Sequence, residues 1–311
     1  MRWSPILAVA LNLAVFGCGG TDEPGSADGG DIVDAAGGVC GAPDLSPDWL
    51  TTMQSDVVAK LSGALPISAG VTLSDRATEQ NRARTQVYIE QEMAALGFAV
   101  ERQAFAGNLP GTNVFAELAG SGEGIYILGA HFDSVAQSPG ANDNATGVAA
   151  VLAAARILVD EQDCLEHGIL FAFFDQEENG LIGSRAFAEQ LVSDGRNVLG
   201  VITLDQLGWD DDADRRMEVE LPGPGMLAAF EASIAARGLG VELIETSTAG
   251  SDHTAFRERG FAALGITEEY VSGDTTPHYH LSSDTFETVN LGYLASSTTV
   301  LTAYLSDLAI P

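Results

Sequence analysis

Histidine and acidic side chains stand in short segments far apart along the chain: His131 and Asp133, Asp143, Glu177 and Glu178, Asp205, and His280. Imidazole nitrogen and carboxylate oxygen are zinc ligands, and a catalytic zinc keeps one position open for water. Two neighbouring ions need a ligand that reaches both, and a carboxylate has two oxygens with which to do so. Asp143 is the candidate bridge. Dividing the others gives each ion one histidine and one carboxylate beyond that bridge, so neither is saturated. Hydrolysis is the chemistry such a pair of metals performs.

The elements that must position these residues can be read from hydrophobic spacing. Apolar residues recur at helical intervals over Trp49 to Leu61 and Asn81 to Leu96, and Gly97 suits a left-handed cap after the second. Strand-like runs follow at Phe98 to Phe105 and Asn113 to Leu118. Ile125 to Ala130 reads as a buried strand leading into His131, and Ala145 to Val159 as a helix with Val148, Val151, Leu152, Ala155 and Leu158 on one face. Then come a strand over Ile169 to Phe174, a helix over Ser184 to Leu191 and a strand over Val198 to Leu204. The alternation predicts an α/β fold, one globular domain with a mixed, mainly parallel central sheet flanked by helices. In open α/β sheets, sites form beyond the carboxyl ends of the strands. His131, the Glu177–Glu178 pair and Asp205 each follow such an end, and Asp143 opens a helix between Gly140 and Gly147.

With these positions on one sheet edge, the ordered strings around them carry a family resemblance. They are Gly129-Ala-His-Phe-Asp-Ser134, Pro139-Gly-Ala-Asn-Asp-Asn-Ala-Thr-Gly147, Phe173-Phe-Asp-Gln-Glu-Glu-Asn-Gly-Leu-Ile-Gly-Ser184, Leu204-Asp205, Ser251-Asp-His253 and Tyr279-His-Leu-Ser-Ser-Asp-Thr285. Together they resemble the co-catalytic zinc aminopeptidases of clan MH, which include glutamate carboxypeptidases and glutaminyl cyclases. The likeness extends over nearly all the chain after residue 45. It implies the zinc aminopeptidase (phosphorylase/hydrolase-like) fold and two Zn2+ ions. One ion is expected on His131 and Asp205, the other on Glu178 and His280, with Asp143 between them. The resemblance also makes Glu177 the general base, Asp133 the partner that holds the His131 ring, and Asp284 a support near His280. His278 and His280 compete for one ligand position, and the Tyr-His pattern followed by Asp-Thr selects His280. His253 is expected to make structural hydrogen bonds.

The resemblance implies an aminopeptidase that hydrolyses the N-terminal residue of peptides. A glutaminyl cyclase using a single zinc is the alternative, with a carboxypeptidase or an inactive binding module behind it. The sequence departs from the family pattern in places. Glu245-Thr-Ser-Thr-Ala-Gly250 lacks the tyrosine that some members place before Ser-Asp-His, leaving Tyr270 or Tyr279 as candidate oxyanion donors, and Gln206 stands where a methionine is usual.

Composition sets the outer bounds. The chain has 311 residues, 46% of them hydrophobic, a formal net charge of −30 and Lys60 as its one lysine. A field of that sign repels phosphates and anionic lipid heads, which argues against nucleic-acid binding. Arg2 and the apolar run Ile6 to Phe16 read as a signal peptide over residues 1–17, too short to span a membrane. Val15-Phe16-Gly17-Cys18 resembles a bacterial lipobox, so Cys18 is a candidate lipidation site, and plain secretion is the competing expectation. A Gly- and Asp-rich tether is expected over residues 18–45, with the catalytic domain over 46–311. Export leaves Cys40 and Cys164 either as an intrachain disulfide or as two free thiols. The expected partners are peptides, with a membrane engaged only through the lipid anchor and the chain a monomer in the cell envelope, at the outer membrane, or secreted.

Overall fold

The computed structural model describes residues 40–310. The expected signal peptide and the candidate lipidation site Cys18 lie outside the described residues. The helices expected first are α1 (Leu50–Leu61) and α2 (Glu79–Ala95), the latter capped by Thr78, whose hydroxyl accepts from the Asn81 amide at 3.2 Å. Gly97 takes φ +93, the left-handed conformation that a side chain would oppose. Strands β1 (Glu101–Phe105), β2 (Gly111–Leu118), β3 (Ile125–His131), β4 (Gly168–Phe174) and β5 (Val198–Leu204) alternate with α3 (Thr146–Leu158) and α4 (Ile182–Ser193). Beyond them lie β6 (Met217–Glu220), α5 (Met226–Arg237), β7 (Leu243–Thr246), α6 (His253–Glu258), β8 (Ala263–Thr267) and α7 (Leu291–Ala309).

The eight strands form one sheet in the order β1-β2-β4-β3-β5-β8-β6-β7. Pairing is parallel across the central β4-β3-β5-β8 run and between β6 and β7. It is antiparallel where β2 joins β1 and β4, and where β6 joins β8. Strands covered on both faces have no polar side to show, which is why β4 is buried at every residue. The main core lies on the face of α1, α2, α3 and α7, where α3 is an alanine-rich helix with all residues buried except Arg156. A second core, including Phe115, Phe174, Phe187 and Phe256, fills the opposite face under α4 and α6. Among the described residues no helix is long and apolar enough to cross a membrane.

Composition placed residues 40–45 in the tether, and there the structure differs. Cys40 is bonded to Cys164, Pro43 is buried, and the Leu45 carbonyl accepts from Thr299 Oγ1 at 3.1 Å. The disulfide links residues 124 apart in sequence. Cross-linking so long a segment restricts the unfolded chain, and natural disulfides typically contribute ~2–4 kcal/mol. Replacing both cysteines by alanine should lower the melting temperature by about 5–10 °C in a thermal melt. Disulfides persist in oxidising compartments, which accords with an exported protein.

Candidate metal centre

Register brings the distant segments together. In the parallel ladders His131 faces Phe174 on β4, while Ala130 faces Leu204 on β5. The residues just beyond these ends therefore share one edge: Glu177 and Glu178 after β4, Asp205 after β5. Asp143 comes from the turn Ala141–Ala145 that precedes α3, and His280 from the long loop after β8. Gly140 takes φ +66 there, and a Cβ on it would lie 2.5 Å from the Asp143 carbonyl oxygen. Non-glycine residues also adopt left-handed backbone around the site: Gln176 at φ 65, Gln206 at φ 52 and His280 at φ 59. Such residues cost of order 1 kcal/mol each and cluster at functional sites.

Two donor groups result. His131 Nε2 lies 3.5 Å from Asp143 Oδ1 and 3.4 Å from Asp205 Oδ1. His280 Nε2 lies 3.2 Å from Asp143 Oδ2 and 3.0 Å from Glu178 Oε2. The two oxygens of Asp143 thus face different histidines. Zinc bonds to nitrogen and oxygen of about 2.0–2.1 Å, arranged tetrahedrally, put ligand atoms about 3.3 Å apart. The four separations bracket that value, so the donor set fits two zinc ions sharing Asp143. Glu177 Oε2 is 4.0 Å from His131 Nε2, and its carboxylate also lies within 4.8 Å of the His131 and Asp205 donor atoms.

Electrostatics point the same way. Burial pushes Asp143 up to about 7, and Glu177 well above its ordinary range. Hydrogen bonding to Asp143 and then to Glu178 raises His280 to about 10. Burial alone would lower His131, but Glu177 and Asp205 outweigh it and raise the ring above its usual value. Protons are thus drawn to a crowded anionic site, and metal binding, which needs carboxylates ionised and imidazoles neutral, replaces them.

The supporting residues also hold the backbone around the donors. Asp133 Oδ1 lies 3.5 Å from His131 Nδ1, beyond usual hydrogen-bond reach, and its firm bonds are to backbone. Its two oxygens accept from the Glu177 amide at 3.0 Å and the Glu178 amide at 3.2 Å, which fixes the pair that follows β4. Asp284 holds the bridge segment rather than His280, accepting from the Asn142 amide at 2.8 Å and the Asp143 amide at 3.1 Å. His278 is turned to Ser283 Oγ at 2.9 Å, and His253 is buried with Nε2 3.1 Å from the Thr248 carbonyl. Tyr279 stacks on His280 with ring centroids 3.8 Å apart, and Tyr270 lies edge-on to Tyr279. Burial holds the Tyr279 hydroxyl above its usual value, so it stays a protonated donor.

Sequence reading passed over Arg76. It is wholly buried, and its guanidinium donates to the carbonyls of Phe132, Leu61, Pro139 and Gly140, tying the His131 and Asp143 segments together. Burial lowers its pKa, opposed chiefly by Asp284 and Asp143. The signal available was an arginine in a short loop of a chain poor in cations. Glu268 was missed as well. It accepts from Asn142 Nδ2 and the Thr276 amide, joining the bridge turn to the loop that carries His280.

The sequence model for peptidase family M28 matches residues 113–305, a span that holds every donor described. The chain belongs to peptidase family M28. This M28 chain is 27% identical to a probable leucine aminopeptidase of Trichophyton verrucosum over 212 residues, covering 64% of the chain and 57% of the relative. It is 24% identical to leucine aminopeptidase 1 of Trichophyton rubrum over 245 residues, covering 71% and 65%. The match thus spans less than two thirds of the length of these curated relatives. Among solved structures, a zinc aminopeptidase from Bacillus subtilis superposes with TM-score 0.73 at 16% identity, covering 84% of this chain and 95% of that one. Porphyromonas gingivalis glutaminyl cyclase superposes with TM-score 0.69 at 22% identity, covering 85% and 99%. At these identities the likeness establishes the fold: the M28 α/β architecture with its mixed, mainly parallel sheet.

Proposed function

We propose that the chain is an exported two-zinc aminopeptidase in which His131 and Asp205 hold one ion, Glu178 and His280 the other, and Asp143 bridges them. The observation that carries this reading is Asp143, whose two oxygens face different histidines, His131 and His280. Zinc bound there would supply a Lewis acid for the scissile carbonyl and bring the pKa of water to about 7. Glu177, which lies beside His131 and Asp205 but farther from the His131 ring than Asp143 or Asp205 does, takes a proton from the attacking water and returns it to the leaving amine. Asp133 keeps Glu177 in place through its amide, and Arg76 keeps the strand end and bridge turn in register. Tyr279, with its hydroxyl protonated, is a hydrogen-bond donor for the developing oxyanion.

A cavity of about 50 Å³ opens beside Asp205, lined by Gln206, Glu220, Thr248, Ser251, Thr267 and Tyr270 among others. Its walls are largely polar. The functional test is a panel of free aminoacyl, N-blocked and glutaminyl substrates, with chelator and zinc add-back. Cleavage of the free aminoacyl set alone, lost with chelator and restored by zinc, supports the proposal. Cleavage of only N-blocked substrates, or cyclisation of the glutaminyl substrate without hydrolysis, would refute it.

A further inference from the structure

The cavity beside Asp205 is built to sort side chains. Among the described residues that line it none is aliphatic: Gln206, Thr248, Ser251 and Thr267 form its wall with Glu220, and two tyrosines supply the rings. A leucine side chain is held by apolar walls, which this cavity lacks apart from those rings. Glu220 is 4% exposed and stands opposite Gly265 in the pairing of β6 with β8. A Cβ on Gly265 would lie 2.6 Å from Glu220 Oε2 and 2.6 Å from His253 Nδ1, so bare backbone there makes room for both groups. The other buried acid of β6 has a structural task, Glu218 accepting from the Val271 and Ser272 amides. Glu220 faces His253 instead, with Oε2 3.5 Å from Nδ1, beyond firm hydrogen-bond reach. That ring brings no charge. Its Nε2 lies 3.1 Å from the Thr248 carbonyl, an acceptor only, so Nε2 carries the proton. Burial lowers the ring to about 4, and Nδ1 makes no hydrogen bond.

We propose that Glu220 makes the centre select N-terminal residues with a cationic side chain, lysine or arginine, whose ammonium or guanidinium pairs with its carboxylate in this cavity. The inference rests on the aminopeptidase reading, which brings the side chain of the N-terminal residue alongside Asp205. A buried acid backed by a neutral ring is compensated by a cation arriving from the open side of the cavity. Burial, then Asp205 and Glu218, push Glu220 up to about 8, and pairing with a cation favours its ionised form. Two other residues of the wall carry acceptors that make no hydrogen bond among the described residues, Gln206 Oε1 and Ser251 Oγ. Both can accept from the N–H donors of either cation. The formal net charge of −30 draws cationic peptides toward the site.

The test compares lysyl and norleucyl p-nitroanilides on the full zinc-loaded chain. Norleucine shares the aliphatic stem of lysine and lacks the ammonium. Wild-type kcat/KM should favour the lysyl substrate by about 10- to 100-fold, the range of a charge-assisted pair. Glu220→Gln, which keeps the shape and removes the charge, should lose most of that preference, and Glu220→Leu should reverse it. Zinc content and a thermal melt establish that each variant is folded, and the wild-type ratio tests the proposal without them. Equal or greater kcat/KM for the norleucyl substrate in wild type, or a lysyl preference undiminished in both variants, would overturn the selectivity and leave the peptidase reading in place. Failure to cleave any free aminoacyl substrate would overturn the peptidase reading and this inference with it.

Discussion

Glu177→Gln should keep both zinc ions and lose about 10²- to 10⁴-fold in kcat. Glutamine matches the shape and hydrogen-bonding reach of the glutamate but cannot accept the proton that water must give up. Glu177 Oε2 lies 4.0 Å from His131 Nε2, whereas the assigned donors stand 3.0–3.5 Å from their histidines. The Glu177 backbone is pinned through Asp133, so the substitution leaves the frame intact. Removing a carboxylate whose ionisation burial opposes should also leave the melting temperature unchanged or slightly higher. Metal analysis beside steady-state kinetics separates the two effects. A variant that loses zinc in step with activity would turn Glu177 into a ligand.

Asp143→Asn should weaken both ions together. The carboxylate presents one oxygen toward His131 and the other toward His280. An amide replaces one of these oxygens with a donor that repels a cation and removes a charge that both ions share. Zinc affinity at both positions should fall by at least ~100-fold, more than loss of an outer partner costs. Glu178→Gln should empty one position only, and Asp205→Asn the other. Retention of one tightly bound zinc in Asp143→Asn would show that this carboxylate belongs to a single ion.

The half of the fold that builds the sheet edge was legible because its strands are uniformly apolar and its helices punctuated. Ile125 to Ala130, Ile169 to Phe174 and Val198 to Leu204 stand within a residue of β3, β4 and β5. The later elements were not foreseen, for reasons visible in their residues. Strand β6 buries Glu218 and Glu220 among Met217 and Val219, so charges hide its character. Glu218 is satisfied through contacts far along the chain, accepting from the Val271 and Ser272 amides. Helix α7 buries Thr298 and Thr302, residues that disfavour helices when free. Here their hydroxyls turn back to the Leu294 and Thr298 carbonyls at 2.8 and 2.7 Å.

Within the site, residue type marked the donors, and strand ends explained why three segments meet. Choosing His280 over His278 needed the family pattern, since both are histidines on one loop. The structure separates them by direction, His280 toward Asp143 and Glu178 and His278 toward Ser283. Arg76 and Glu268 could not be weighted from sequence, because their importance lies in carbonyls and amides that carry no side-chain signature.

The central claim is that two metals act through one bridging carboxylate. Its most direct test is a zinc titration of metal-free protein, following hydrolysis of an alanyl p-nitroanilide and bound zinc in the same samples. Two zinc ions per chain should bind, with full activity reached only as the second position fills. Full activity at one zinc per chain, or hydrolysis that survives complete removal of metal, would contradict the account.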